Sequence, residues 1–327
     1  MNNWPNPSEL SVMAFCGGMG GMEAGAIRLG MQVKQTCEID PAARTVLYRL
    51  LGKHPLEDLM ELEPCDVPVV DGYVGGCPCQ PFSQLGPMRK LDDPRWLLNI
   101  QPIRIAKMRR PRFLLFENVR QITERIVIDA INRELADAGY KPLQYCLLNT
   151  AHFGLETART RCFWASFRRD ISSRIIHWPT DVRLAPGKLQ NILLPDDRTN
   201  DLVVDSSRFV PFTPKMKRVD PYRPHQCGFI ARNYQGRRVY LPDAPCPTYV
   251  SSTGGPGGSS GLYLINGRIR QLHALEQMAA MGFSKSHPMP FRRTVAGRLI
   301  GNSLSPVLAS ACLIAVISAM TAEGNQP

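Results

Sequence analysis

The feature that most constrains this chain is the alternation of short apolar runs with helical periodicity through its first half. Residues 10–15, 33–38, 67–74 and 113–116 read as strands. Helical spacing over 22–29, 41–51, 96–108 and 122–138 follows them in turn, and 143–149 and 161–167 read as a further strand pair. Units alternating at this length predict an α/β fold, a doubly wound and mostly parallel sheet. Ligands in such sheets bind beyond the carboxyl ends of the strands. Gly18, Glu38, Asp58, Cys79 and Glu117 all fall at or just past such ends.

From about Pro186 the character changes. Prolines and arginines become frequent, helical periodicity fades, and a glycine-rich stretch runs over 253–261. Helical pattern returns at 272–281 and from 294 onward. The expectation is a larger α/β domain of residues 1–187 plus 285–327, and a smaller, irregular, β-rich domain over 188–284. The apolar run 307–320 is too short for a spanning helix and carries Ala and Ser, so a buried core helix is expected there.

The sharpest local signal is Gly75-Gly76-Cys77-Pro78-Cys79-Gln80-Pro81-Phe82-Ser83. The glycine pair ends an apolar run, as a strand end would. A proline then stiffens the turn that presents the Cys79 thiol beside Gln80. Residues 113–116 likewise run into Glu117-Asn118. A nucleophilic thiol and a carboxyl group at neighbouring strand ends suit attack on an electron-poor ring. The thiolate adds to carbon while the acid protonates a ring nitrogen. The alternative for Cys79 alone is a buried structural thiol. Zinc is disfavoured because Cys77-Pro78-Cys79 has one intervening residue and no Cys-x-x-Cys pair occurs, so no metal is expected.

The Pro-Cys-Gln turn, Glu117-Asn118-Val119, Gly17-Gly18-Met19-Gly20-Gly21 and Ile300-Gly301-Asn302-Ser303 occur in the order and at the spacing of the DNA cytosine 5-methyltransferases. The chain resembles that family over nearly its whole length, most closely the small bacterial GCGC-type modification enzymes. Further matches lie in Leu193-Leu194-Pro195-Asp196, Gln235-Gly236-Arg237-Arg238-Val239-Tyr240 and Tyr263-Leu264-Ile265-Asn266-Gly267. The resemblance implies a class I methyltransferase fold. It implies methyl transfer from S-adenosylmethionine to carbon 5 of a cytosine flipped out of double-stranded DNA, through a covalent Cys79 adduct at carbon 6. It gives Glu117 the hydrogen bonds to ring nitrogen 3 and the exocyclic amine, and Asn118 the fixing of the loop. Residues 153–161 resemble the family's Gln-x-Arg-x-Arg segment. Arg159 and Arg161 match, whereas Thr157 replaces Gln and Glu156 replaces Pro. Alternate residues on a strand point the same way. The resemblance implies that the two arginines contact the flipped base and orient the catalytic residues, with Arg161 the more structural; a solvated strand face is the bland alternative.

For the cofactor, Gly18, Gly20 and Gly21 form a turn that lets a ligand approach the backbone. Glu38, after the second strand, suits ribose hydroxyls and is followed by Ile39. The resemblance puts Asp58 on the adenine amine with Leu59 beside it. It adds Pro78 and Leu98 to the cofactor's surroundings and closes Asn302 and Ser303 over the methionine. The family's first motif has an Asp two residues before an aromatic residue; here Ala14 and Cys16 stand at those positions, and Phe15 is one place early. Two outcomes are open. Phe15 covers the cofactor in place of the missing ring, or Cys16 leaves a roomier pocket that tolerates a modified S-adenosylmethionine.

A formal net charge of +11 favours a polyanionic partner. Arg104, Lys107, Arg109, Arg110 and Arg112 cluster, as do Lys215, Lys217 and Arg218; such runs are solvated faces unless they surround a cleft. Gln235 and Arg238 are sharper. The resemblance sends the Gln into the space left by the flipped base and the Arg to a guanine, whose O6 and N7 fit its fork. It also assigns Gln80, Ser83, Gly254 and Gly255 to DNA, and the stretch 80–98 is expected to close over the base. The target is expected to contain a guanine next to the cytosine. The alternatives are an RNA cytosine 5-methyltransferase, a variant using a modified S-adenosylmethionine, and a catalytically silent DNA-binding relative. Gln235 and Arg238 favour duplex DNA, and the joint presence of Cys79, Glu117 and Arg159 argues against silence. The first residues show no basic start followed by an apolar run, and the ten cysteines read as reduced thiols. A cytoplasmic monomer without a membrane partner is expected.

Overall fold

The computed structural model describes residues 4–77, 94–212, 220–250, 256–290 and 292–320. The chain forms two compact units. One comprises Met1–Leu148, Thr160–Asp181 and Pro306–Pro327, the other Asn149–Arg159 and Val182–Ser305.

The strands of the first half are β1 (Ser11–Phe15), β2 (Gln32–Cys37), β3 (Gly72–Gly75), β4 (Phe113–Asn118), β5 (Gln144–Asn149), β6 (Thr157–Ala158) and β7 (Thr160–Phe167). All but β6 form one sheet in the order β2-β1-β3-β4-β7-β5. β1 runs parallel to β2 and β3, β3 runs parallel to β4, and β7 is antiparallel to β4. The chain steps outward from β1 to β2 and then returns past β1 to β3. The carboxyl ends of β1 and β3 therefore flank the switch point where such sheets bind ligands. This is the doubly wound α/β fold that the alternation predicts.

Helices cover both faces. They are α1 (Gly21–Ile27), α2 (Pro41–Leu51), α3 (Leu97–Arg109), α4 (Arg125–Asp137) and α7 (Pro306–Ala319); α5 (Ala274–Ala280) and α6 (Arg293–Asn302) belong to the second unit. On one face Met13, Phe15, Tyr73, Leu114 and Phe116 pack with Ile103 of α3 and with Ile131 and Leu135 of α4. On the other, α1 packs on α7 so closely that a Cβ at Gly25 would come within 2.5 Å of Ala309, and Ser310 Oγ donates to the Gly25 carbonyl at 2.9 Å. The apolar run 307–320 is thus a core helix. α2 begins and ends where local chemistry requires. Asp40 accepts from the Ala42 and Ala43 amides, Pro41 occupies the first turn, and Gly52 closes the helix in the left-handed conformation.

The structure departs from the periodicity in three places. The third strand is Gly72–Gly75 alone, not 67–74. Pro68 cannot donate to a ladder, Val69 is 73% exposed, and Asp71 turns its carboxylate back onto the Ser11 amide and hydroxyl at 2.8 and 2.9 Å. The helix expected over 122–138 begins at Arg125, after a 3-10 turn over Arg120–Thr123. The final helical stretch is two helices, because Pro306 disfavours helical conformation in the residue before it.

The second unit holds β8 (Phe209–Pro211), β9 (Gln226–Ile230), β10 (Arg238–Tyr240), β11 (Cys246–Pro247), β12 (Leu262–Ile265) and β13 (Arg268–Arg270). Five of them form a sheet in the order β13-β12-β10-β9-β8, and β11 pairs with β6. Ile230, Val239, Leu262 and Ile269 form its small core. The β12–β13 hairpin turns on Asn266 and Gly267, both at positive φ (49° and 75°), the conformation that an Asn-Gly hairpin turn requires.

Candidate active site

The end of β4 carries two polar side chains with different tasks. Asn118 Nδ2 donates to the Cys77 carbonyl at 3.3 Å and to Asn99 Oδ1 at 3.0 Å, while its own Oδ1 accepts from the Val119 amide at 2.8 Å. It thereby holds the backbone of Cys77, the residue that precedes Pro78 and Cys79 in sequence. Asn99, buried on α3, carries no sequence signal that singles it out. Glu117 is buried, and Arg161 on β7 approaches its Oε1 at 3.0 Å. β4 and β7 pair antiparallel through Glu117↔Phe163 and Asn118↔Cys162, which brings Arg161 to that strand end.

The two arginines do not act as a pair on one strand. The chain breaks between β6 and β7 at Arg159, whose amide donates to Thr150 Oγ1 at 2.9 Å and whose carbonyl accepts from the Thr150 amide at 3.1 Å. The buried Arg159 guanidinium donates to the carbonyls of Tyr249, Gly301 and Ser303 at 3.0, 3.1 and 2.7 Å. Arg161, expected to be the more structural, is the one beside the carboxyl group; Arg159 ties together the backbone of the second unit. Asn302 is exposed and Ser303 is buried, directly on this tie.

At the switch point, Glu38 Oε2 accepts from the Gly18 amide at 2.7 Å and Oε1 from the Asp40 amide at 2.8 Å. Gly18 lies at φ 54°, and a Cβ there would meet nothing within 4 Å, so the turn leaves room above its backbone. Gly20, at φ 80°, precedes α1, which begins at the buried Gly21. A bridge between Cys37 and Leu56 carries Asp58 alongside the end of β2, where its carboxylate accepts from the Met60 amide at 2.9 Å. Leu59 is buried and Leu98 is partly buried against the core. Ile39 is 64% exposed beside this turn, unusual for an isoleucine without a partner surface.

Phe15 does not take the place of the missing aromatic ring. It is fully buried, edge-on to Tyr73 at 5.0 Å, because its strand position faces the α3–α4 core. Cys16 follows at φ 54°. Its thiol lies against that of Cys77, and this contact, with burial, raises its pKa well above the usual thiol value. Burial, then the carboxylates of Glu38 and Asp58, push the Cys37 thiol up to about 12. Both stay protonated at neutral pH and are not prepared as nucleophiles.

In the second unit, Gln235 is exposed in a 3-10 turn over Gln235–Arg237 that leads into Arg238. Arg238 Nε donates to Asn233 Oδ1 at 3.3 Å, and Arg237 Nε to the Tyr234 hydroxyl at 2.7 Å. The Gly257 amide donates to the Gly236 carbonyl at 3.0 Å, so the glycine-rich stretch backs this turn. Of the basic cluster, Arg104, Lys107, Arg110 and Arg112 stand 2.9 to 3.9 Å from Glu134, Asp137, Asp170 and Asp71, an ion-paired face. Pro78, Cys79, Gln80, Ser83, Lys215, Lys217, Arg218, Gly254 and Gly255 lie outside the described residues, as does most of the stretch 80–98.

The model of the C-5 cytosine-specific DNA methylase family matches residues 10–318. The chain belongs to that family. As a C-5 cytosine-specific DNA methylase it is 25% identical over 290 residues to the Type II methyltransferase M.HhaI of Haemophilus parahaemolyticus, covering 88% of each chain. It is 28% identical over 313 residues to the Type II methyltransferase M.HaeII of Haemophilus aegyptius, covering 92% of this chain and 91% of that one. The solved structure of the Entamoeba histolytica methyltransferase EhMeth shares the fold, with a TM-score of 0.73 at 14% identity over 94% of this chain and 97% of that one. A DNA methylase of this family takes its methyl group from S-adenosylmethionine. The residues present fit that group: open space over Gly18, carboxylates at Glu38 and Asp58, and an exposed apolar surface at Ile39.

Proposed function

We propose that this DNA cytosine-5 methyltransferase works through a covalent adduct between Cys79 and carbon 6 of a cytosine flipped out of duplex DNA. The observation that carries the reading is the double hold at the end of β4. Asn118 grips the Cys77 carbonyl while Arg161 steadies Glu117, so one strand end holds both the carboxyl group and the backbone two residues before Cys79 in sequence. Addition of the Cys79 thiolate at carbon 6 makes carbon 5 nucleophilic. Glu117 hydrogen-bonds nitrogen 3 and the exocyclic amine, which stabilises the electron-rich adduct. S-adenosylmethionine supplies the methyl group; loss of the carbon-5 proton and of the Cys79 thiolate then restores the aromatic ring.

Glu38 binds the ribose hydroxyls and Asp58 the adenine amine, with Ile39 and Leu59 beside the base and Pro78, Leu98, Asn302 and Ser303 completing the site. Residues 1–187 and 285–327 serve catalysis and cofactor binding, and 188–284 serve target recognition. Gln235 fills the space left by the base and Arg238 reads a guanine. Gln80, Ser83, Gly254 and Gly255 contact DNA. The exposed Asn233, Tyr234 and Gln235, with Arg237 and Arg238 held partly exposed by Tyr234 and Asn233, support this assignment. The test is mass spectrometry of DNA nucleosides after expression in a methylation-free host, followed by mapping of the modified sites. It is expected to give 5-methylcytosine in one short motif containing a guanine beside the cytosine. Unmodified DNA, or 5-methylcytosine confined to RNA, would overturn the proposal.

A further inference from the structure

Among the described residues, three carboxylates of the first unit are buried: Glu38, Glu117 and Glu23. The first two have work in the reaction. Glu23, in the first turn of α1, has none, although it is 0% exposed. Its Oε1 accepts from Thr36 Oγ1 at 2.7 Å, and its Oε2 has no hydrogen-bond partner. A buried carboxylate left half satisfied is costly unless something completes it.

Its position suggests what completes it. Ala14 and Thr36 are register partners on β1 and β2, so their side chains share the face of the sheet that α1 covers. An Asp at position 14, where the family's first motif carries one, would stand on that face. This chain has the fully buried Ala14 there and brings a carboxylate to the same place from the helix. Gly17 lies directly on it: a Cβ there would come within 2.4 Å of Glu23 Oε1 and 2.7 Å of Thr36 Oγ1. The backbone that turns into the open space over Gly18 therefore rests on the Glu23–Thr36 pair.

We propose that Glu23 is a charge-selective positioning residue of the cofactor site, placing a buried negative charge beneath the Gly17–Gly18 turn that favours the cationic methyl donor over the neutral product left after transfer. This rests on the reading that S-adenosylmethionine binds over that turn. The titration of Glu23 supports it. Burial pushes its carboxyl up to about 7, against the opposing hydrogen bonds from Thr36 and its own amide, and the Glu38 carboxylate, the other charged group facing it, adds to the rise. A cation bound nearby stabilises the ionised form and lowers that pKa. The sign follows. Binding of the donor releases a proton near neutrality, and its affinity rises with pH until the free carboxyl is fully ionised, above about 7. A shift of one unit corresponds to about tenfold in affinity. The product, which has no sulfonium charge, gains much less.

Titration calorimetry tests this at pH 6, 7 and 8, in buffers of different ionisation enthalpy, with the full chain. The ligands are S-adenosylmethionine, an analogue with an amine in place of the methylsulfonium, and S-adenosylhomocysteine. The two cations are expected to bind about fivefold tighter at pH 8 than at pH 6 for a one-unit shift and to release a proton near pH 7, while S-adenosylhomocysteine changes by less than about twofold. Glu23→Gln is expected to bind all three with flat pH dependence and no proton release. Thr36→Val, which removes the hydroxyl that holds the pKa down, is expected to move the midpoint to higher pH, and it serves where Glu23→Gln fails to fold. Binding of S-adenosylmethionine without pH dependence in the unmodified protein, or with unchanged proton release in Glu23→Gln, would overturn the inference alone. No binding to the unmodified protein would overturn the cofactor reading on which it rests.

Discussion

Arg159→Leu separates a structural from a base-contacting role for the residue that sequence matching sends to the flipped cytosine. The Arg159 guanidinium is buried and donates to three backbone carbonyls, those of Tyr249, Gly301 and Ser303. Leucine fills part of the volume and donates nothing, so three buried acceptors lose their partner. Hydrogen bonds to a charged group contribute roughly 1.5–3 kcal/mol each and an unmet buried acceptor costs about 1–3 kcal/mol, so with partial relaxation the total is about 3 kcal/mol. Arg159→Lys keeps the charge but lacks the planar fork and cannot reach all three carbonyls; it is expected to restore at most about a third of the loss, given that Lys presents a compact point charge. The assay is guanidinium unfolding followed by circular dichroism, with amide hydrogen exchange over residues 299–305 as the local readout. Both should report the loss in the absence of DNA. If Arg159→Leu unfolds within about 0.5 kcal/mol of the parent, the range of an ordinary surface change, yet abolishes methylation, the tie is not structural and the reasoning fails.

Three further outcomes are expected. Glu117→Gln removes the proton donor and the charge that Arg161 holds, so single-turnover methylation should fall by about a hundredfold or more while duplex binding in a filter assay changes little; an unchanged rate would remove Glu117 from the chemistry. Arg238→Ala should relax discrimination at one guanine by roughly 1–3 kcal/mol in a randomised-target methylation assay, and equal selectivity would exclude it as a base reader. Cys16→Phe restores the ring that the family carries at this position and should tighten S-adenosylmethionine binding by up to about 1 kcal/mol in a calorimetric titration. Unchanged or weaker binding would mean that the space against Cys77 is already filled.

What local chemistry specifies was readable and what distant packing decides was not. The β–α alternation marked the strand ends at Gly18, Glu38 and Glu117, because apolar runs that stop at glycine or acid are local signals. The third strand reads too long in the sequence, because an apolar run looks the same whether its backbone enters a ladder or approaches one, and only Pro68 marks the difference. The division of labour between Arg159 and Arg161 depends on bonds to residues 90 and 142 positions away, which no period encodes. Nothing local singles out Glu23, because a Glu in the first turn of a helix reads as a solvated residue; its burial comes from the Ala14–Thr36 register beneath it. Two-residue strands such as β6 and β11 are too short to carry any pattern.

Trapping on duplex DNA carrying 5-fluorocytosine at the target cytosine reads out the covalent Cys79 step. After addition at carbon 6 and methylation at carbon 5, the fluorine cannot leave as a proton, so elimination of Cys79 is blocked. With S-adenosylmethionine present, a protein–DNA complex that survives denaturing gel electrophoresis is expected, with Cys79 as the modified residue on peptide mapping. Cys79→Ala should bind the same duplex and form no such complex. An adduct that persists in Cys79→Ala, or a parent enzyme that methylates ordinary cytosine yet is never trapped by the fluorinated base, would contradict the account.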